Sequence, residues 1–156
     1  MNANIGLSEE HKAGSVKILG RILADEFVLY TKTRNFHWNV EGSNFVEMHT
    51  FYEKMYDELD EVFDEVAERI RMLGHYSQGR LKDFLQVTSL LEEEYTNDQQ
   101  KQLQSLLSDH ETVIRLLRND IDELQDKMHD AGNADFVTGL LKQHEKWAWF
   151  IRSYLR

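Results

Sequence analysis

Between residues 37 and 68 the chain concentrates side chains that can hold transition metals. His49, Glu53, Asp64 and Glu68 fall in one stretch whose apolar residues recur at helical spacing, and His37 precedes it by twelve residues. On a helix turning 100° per residue, the last three lie about 40°, 60° and 100° around from His49, so all four share a face. Imidazole and carboxylate are nitrogen and oxygen donors suited to iron, manganese or zinc. An acidic helix face can equally be a solvated one. Three features point toward ligation. Phe45, Met48 and Phe63 adjoin the stripe, His37 and His49 flank a loop where two segments can converge, and Trp38 beside His37 could shield a site from water.

Distance divides the stripe. Glu53 and Asp64 are 11 residues apart, roughly 16 Å along a helix rising about 1.5 Å per residue. Metal–ligand bonds are near 2 Å, so one metal centre cannot use both ends within a single chain. His49 with Glu53 makes one half-site, and Asp64 with Glu68 another. Other helices of the same bundle could complete each half. Single-chain di-iron bundles do so with Glu-x-x-His pairs, and no Glu-x-x-His occurs in the sequence. Alternatively, two chains pair with antiparallel second helices, which sets Asp64 and Glu68 of one beside His37, His49 and Glu53 of the other. A two-fold dimer of that kind holds two equivalent sites.

The elements that must position these residues read as helices almost throughout. Ser8 caps a first helix with Glu9 and Glu10 in its opening turn. Its apolar face of Val16, Leu19, Ile22, Leu23, Phe27 and Tyr30 runs on to about Trp38. Residues 39–44 read as a loop around Gly42. A second helix follows from about Ser43 or Asn44 to Leu73, with Phe45, Met48, Tyr52, Met55, Tyr56, Leu59, Val62, Phe63, Val66 and Ile70 as its apolar set. Gly74 and Gly79 bracket a break, and residues 81–87 predict a short helix inside a long connection. Thr96 and Gln99 form a capping-box pattern opening a third helix to about Met128. Gly132 and Asn133 separate it from a fourth, residues 134–155. No run reads as a strand. The expectation is an all-α four-helix bundle, one domain over residues 1–156 with a short tail at 1–7, and one long crossover carrying the short helix.

Composition agrees and excludes. The chain has no proline, where average usage predicts about eight, and proline breaks helix interiors. It has no cysteine, which removes disulfide scaffolds, thiolate zinc sites, cysteine nucleophiles and cysteine-ligated iron–sulfur clusters. With 28 acids against 18 bases the net charge is −10. That argues against nucleic-acid binding over the whole surface and is compatible with cationic ligands. The opening MNANIGLSEEHK lacks the pattern of a signal peptide, and no run of about 18 apolar residues exists. A soluble cytoplasmic protein with no membrane partner is expected, nucleoid association being left open.

Asn35-Phe36-His37-Trp38-Asn39-Val40, then Phe45 and His49, then Asp64-Glu65-Val66-Ala67-Glu68-Arg69, resembles the Dps family of ferritin-like mini-ferritins. The spacing of twelve residues from His37 to His49, fifteen to Asp64 and four to Glu68 matches. The likeness extends through residues 81–84 to Trp149 and Phe150, essentially the whole chain. The resemblance implies a ferritin-like bundle in a hollow homododecamer, with ferroxidase sites at two-fold interfaces. His37, His49 and residue 53 would come from one subunit, Asp64 and Glu68 from its neighbour. It also implies iron as Fe(II) substrate and stored ferric product, hydrogen peroxide as oxidant, and protection of DNA from oxidative damage. Asp64, Glu68 and His37 would hold one iron, His49 and Glu53 a second, weaker one. The family commonly has Asp where Glu53 stands, which bears on the second position. Trp38 would be a nearby electron donor quenching radicals, or an interface residue. Asp126, Asp130 and Asp135 match the family's iron-entry pore at the three-fold axes, although acids near helix ends also serve as caps.

Residues 1–7 carry no Lys or Arg. Phosphate neutralisation supplies most non-specific affinity for DNA, so weak or absent direct DNA binding is expected and no DNA-binding residue is assigned. His11, His75, His110, His129 and His144 are scattered and read as surface or packing residues. Tyr52 and Tyr56 read as packing, with hydrogen bonding behind a ligand as the alternative. The competing function is a non-enzymatic, DNA-shielding nucleoid or cage protein. More distant is a hydrolytic metal site on the same bundle.

Overall fold

The computed structural model describes residues 3–156; residues 1 and 2 of the expected tail lie outside the described residues. The elements in chain order are α1 (Glu9–Asn39), α2 (Phe45–Met72), α3 (Leu81–Val87), α4 (Gln99–Asp122), a π-helical turn (Glu123–Lys127) and α5 (Ala131–Tyr154). Among the described residues no strand forms. Glu41 and Asp98 make one isolated bridge pairing, with the Glu41 amide donating to the Asn97 carbonyl at 3.2 Å.

Ser8 caps α1 as its sequence position suggests, accepting from the His11 amide at 3.1 Å. The start of α4 differs from expectation. Asp98, not a Thr96–Gln99 box, is the N-cap and accepts from the Lys101 amide, while Thr96 Oγ accepts from the Asp98 amide one step earlier. An ionised Asp also favours the positive helix end. The last helix starts three residues before its expected first position. Asp130 caps it and accepts from the amide of Asn133, so Gly132 and Asn133 lie in the first turn of α5 instead of in a linker. Gly74, at φ 87°, closes α2 in the left-handed region and donates to the Arg71 carbonyl, the helix-ending conformation glycine adopts without a Cβ penalty.

α2 runs back along α1, α4 pairs with α5, and α1 also touches α4, which closes the bundle. The core is the expected set of apolar stripes: Leu19, Ile22, Leu23 and Phe36 from α1, Met48, Tyr52, Met55 and Val66 from α2, Leu103, Leu106 and Leu117 from α4, Val137 and Ile151 from α5. α3 lies across α1, its Phe84 ring 4.8 Å from Phe27. Asp25 pins the connection that follows, accepting from Thr88 Oγ at 2.8 Å and the Ser89 amide at 2.5 Å. No helix is long and apolar enough to cross a membrane among the described residues.

Candidate metal centre

The α1–loop–α2 hairpin brings His37 and His49 face to face. Their rings stack with centroids 3.6 Å apart. His37 Nδ1 lies 2.8 Å from the backbone carbonyl of His49, and His49 Nδ1 lies 2.9 Å from the backbone carbonyl of His37. A carbonyl only accepts, so both Nδ1 atoms carry the proton and both Nε2 atoms keep a lone pair when the rings are neutral. Proteins orient metal-binding imidazoles in this way, by having the other ring nitrogen donate to a backbone carbonyl. Helix ends make it possible: the His37 carbonyl belongs to the last turn of α1, where carbonyls have no helical partner.

Aromatic rings wall the pair in. Phe45, on the first turn of α2, packs 5.1 Å from His49, and Tyr56 stands edge-on to His37 at 5.2 Å. Burial, then the nearby Glu53 carboxylate, pushes the Tyr56 phenol above its ordinary pKa, so it stays protonated. The Arg34 guanidinium lies 4.6 Å over Tyr56 and 5.4 Å over Trp38, and it donates to Tyr30 Oη at 2.6 Å. Trp38 itself is 64 % exposed.

The carboxylates fall as the helical spacing predicts. Glu53 is exposed one turn beyond His49, and Asp64 and Glu68 are exposed further along α2. The chain brings together the two histidines but not the two halves of the stripe. Among the described residues no group of three or more His, Asp or Glu side chains comes close enough to hold one metal ion.

Residues 16–156 match the ferritin-like domain family. A low temperature-induced protein of Nostoc is 40% identical over 97% of this chain and 86% of its own length. The DNA protection during starvation protein of Porphyromonas gingivalis is 36% identical over 96% of this chain and 93% of its own. The crystal structure of a Dps protein from Vibrio cholerae superposes with a TM-score of 0.93 at 26% identity, covering 99% of this chain and 97% of that one. The chain belongs to the Dps family. That Vibrio protein is placed in a broad superfamily of ferritin-like diiron-carboxylate proteins.

In this Dps chain the three acids matched to the family's pore part company. Asp126 and Asp135 are exposed. Asp130 is buried, and both its oxygens are engaged by Asn133, Oδ1 by the amide and Oδ2 by the side-chain nitrogen at 2.6 Å. Asn133 in turn accepts from Arg69 Nε at 2.8 Å. Asp130 thus joins the end of α2 to the start of α5.

Two features escaped the sequence reading. Arg34 and Tyr30 surround Tyr56, and only the i to i+4 spacing of Tyr30 and Arg34 could have hinted at a contact. His110 and His144, read as surface or packing residues, are fully interior and bonded to each other at 2.9 Å. Their partner Glu26 lies among the apolar positions of α1, a buried acid that marks a partner somewhere in the fold.

Proposed function

We propose that this chain oxidises Fe(II) with hydrogen peroxide at sites shared between two copies, and stores the ferric product inside a hollow homododecamer built from two-fold dimers. One observation carries the reading. The reciprocal hydrogen bonds of His37 and His49 leave two Nε2 lone pairs, with Glu53 one turn along α2 from His49, while the complementary Asp64–Glu68 pair lies about three turns away on the same helix. An antiparallel partner's α2 would bring the missing carboxylates to each histidine pair. The ferritin-like family, and the placing of the Vibrio Dps protein among ferritin-like diiron-carboxylate proteins, support the same reading.

Each residue's task follows from its chemistry. Asp64 and Glu68 are hard oxygen donors that, with His37, hold the first Fe(II); His49 and Glu53 hold the second, weaker one. Two Fe(II) ions deliver two electrons together to the O–O bond, 2 Fe(II) + H2O2 → 2 Fe(III) + 2 OH−, and no hydroxyl radical is released. Trp38, exposed beside the pair, donates an electron when only one iron is present. The −10 charge draws cations inward, with Asp126 and Asp135 as exposed acids at the entry and Asp130 holding the helix that carries Asp135. Removing iron and peroxide together protects DNA, a role for which the Porphyromonas relative is named.

Protection of this kind needs no DNA contact. Lys12, the first base of the chain, is buried and donates to the Ala3 carbonyl at 2.8 Å while paired with Glu9, so it is unavailable to phosphate. With that lysine engaged and a net charge of −10, direct DNA binding at physiological salt is expected to be weak.

The test is anaerobic Fe(II) titration followed by a peroxide pulse, with particle mass measured before and after. The expected result is saturation near two iron per site, fast oxidation and an unchanged assembly. Changing His37 and His49 together to Gly abolishes the fast phase. Fast peroxide-driven oxidation that survives this change would leave the non-enzymatic cage as the better reading.

A further inference from the structure

A second constellation lies in the bundle interior and takes no part in the metal centre. Glu26 Oε1 on α1 is 2.8 Å from His144 Nε2 on α5. His144 Nδ1 is 2.9 Å from His110 Nδ1 on α4, and His110 Nε2 is 3.4 Å from Met55 Sδ on α2. All four long helices contribute a side chain to this chain of contacts, and Thr33 Oγ1 of α1 also donates to Met55 Sδ at 3.8 Å. All four side chains are buried, and Glu26 Oε2 has no partner among the described residues.

Hydrogen bonding fixes how many protons this chain can hold. Each link needs one. A thioether has none to give, so the His110–Met55 link requires N–H at His110 Nε2. A neutral His110 then has a bare Nδ1, which must accept from N–H at His144 Nδ1. The third proton lies between His144 Nε2 and Glu26. The total is three bridging protons with zero net charge. Removing one leaves a buried carboxylate uncompensated and turns a His110 lone pair toward sulfur. A fourth placed on an imidazole sets N–H against N–H between the two Nδ1 atoms, and one placed on Glu26 Oε2 leaves a buried imidazolium without its counter-charge. Each departure costs a link or strands a charge in the buried interior.

We propose that Glu26, His144, His110 and Met55 form a proton-counted lock on the bundle, closed with three bridging protons and opened by uptake of a fourth as the medium acidifies. Surrounding charges do not supply an alternative partner. On α1, Asp25 is held by Arg21, Thr88 and Ser89, and Lys32 by Asp109. On α2, Glu58 is held by Gln143, Trp147 and Lys146 of α5. On α4 the neighbouring acid is Asp109, already paired, and on α5 the facing titratable group is His144 itself. Burial, with the like charge that His144 would present, holds His110 well below the ordinary imidazole range.

The sign follows from linkage. An unfolded histidine takes up its proton near pH ~6.5, whereas His110 in the closed chain does so only at lower pH. The chain's contribution to stability is therefore greatest near pH ~6.5. Above it the unfolded state, with Glu26 ionised and both imidazoles neutral, binds one proton fewer than the closed chain, and below it up to one more. The unfolding constant thus rises by up to about tenfold per pH unit as pH drops further.

Solid-state 15N NMR of sedimented, 15N-histidine-labelled protein at neutral pH tests the proton count directly. The expected spectrum has His110 as the Nε2–H tautomer, with Met55→Leu reversing it to Nδ1–H because the sulfur acceptor is gone. Glu26→Gln preserves the wild-type tautomer, since its amide donates to His144 Nε2. An Nδ1–H His110 in the wild type overturns the proposal. In urea unfolding of the assembled protein from about pH 7.5 to about pH 5.5, the acid-side rise should flatten in His110→Phe by one proton's worth. An unchanged slope also overturns it. If His110→Phe does not fold, the tautomer decides alone.

Discussion

Mixed assembly of two inactive variants tests the division of ligands quantitatively. His37→Gly with His49→Gly removes the imidazole half of each site, and Asp64→Asn with Glu68→Gln removes the carboxylate half. The halves are separated along α2 by roughly 16 Å, so neither variant can complete a centre with its own chain. If sites form across a two-fold axis, a mixed dimer has one site in which both halves are lost and one in which both are intact. Equal amounts unfolded and refolded together give about half mixed dimers, and therefore about a quarter of all sites intact. The assay is the amplitude of Fe(II) oxidation after a peroxide pulse, read against wild type refolded the same way. Each variant alone should give almost none of the fast amplitude, and the mixture about a quarter. Mixing the separately folded variants without refolding is the control and should give none. A refolded mixture of proven mixed composition that stays inactive refutes the shared site, because ligands drawn from one chain cannot complement.

Two further outcomes follow. Glu53→Gln should halve the iron bound per site in anaerobic titration while Glu53→Asp retains it, since the second position needs a carboxylate and not a particular length; unchanged stoichiometry in Glu53→Gln removes this residue from the ligand set. Lys32 and Asp109 are nearly buried at 2.6 Å, and burial pushes the Asp109 carboxyl up with Lys32 opposing it, so Lys32→Met should destabilise the chain by about 3–5 kcal/mol and Lys32→Met with Asp109→Leu should recover most of that in urea unfolding.

Where local chemistry decides, the sequence was readable. Ser8, the apolar stripes and the short helix at residues 81–87 stand where spacing places them. The α2 stripe is buried except at its edges, where Phe45 is 42 % exposed and Phe63 half-buried. Those two rings border the metal-binding face, which explains why helical periodicity alone included them with the core. The errors fall at helix ends. Thr96, Asp98 and Asp130 are all chemically able to cap, and the choice among them depends on where the chain must turn to reach its packing partner. The π-helical turn before Asp130, closed by the Met128 amide on the Glu123 carbonyl at 3.0 Å, adds a residue to the helical turn and shifts the register in a way no pattern of residue types announces.

The two histidine pairs show why residue type and spacing could locate one site and miss the other. His37 and His49 lie twelve residues apart across a tight hairpin, so sequence proximity already suggests contact; His110 and His144 lie thirty-four apart and meet only once α4 and α5 pack. The decisive difference is what each Nδ1 faces. In the first pair both Nδ1 atoms donate to backbone carbonyls, which leaves two lone pairs directed away from the contact. In the second the Nδ1 atoms face each other and the Nε2 atoms are spent on Glu26 and Met55. An imidazole pair whose nitrogens are all consumed internally has nothing to offer an incoming cation, however buried or acidic its surroundings. Iron should therefore bind the first pair and ignore the second, and the same 15N spectra can decide it: anaerobic Fe(II), which broadens the resonances of nearby nuclei, should remove the signals of His37 and His49 before those of His110 and His144. Loss of the interior pair's signals first would mean that the closed chain opens for metal, and both assignments would then have to be exchanged.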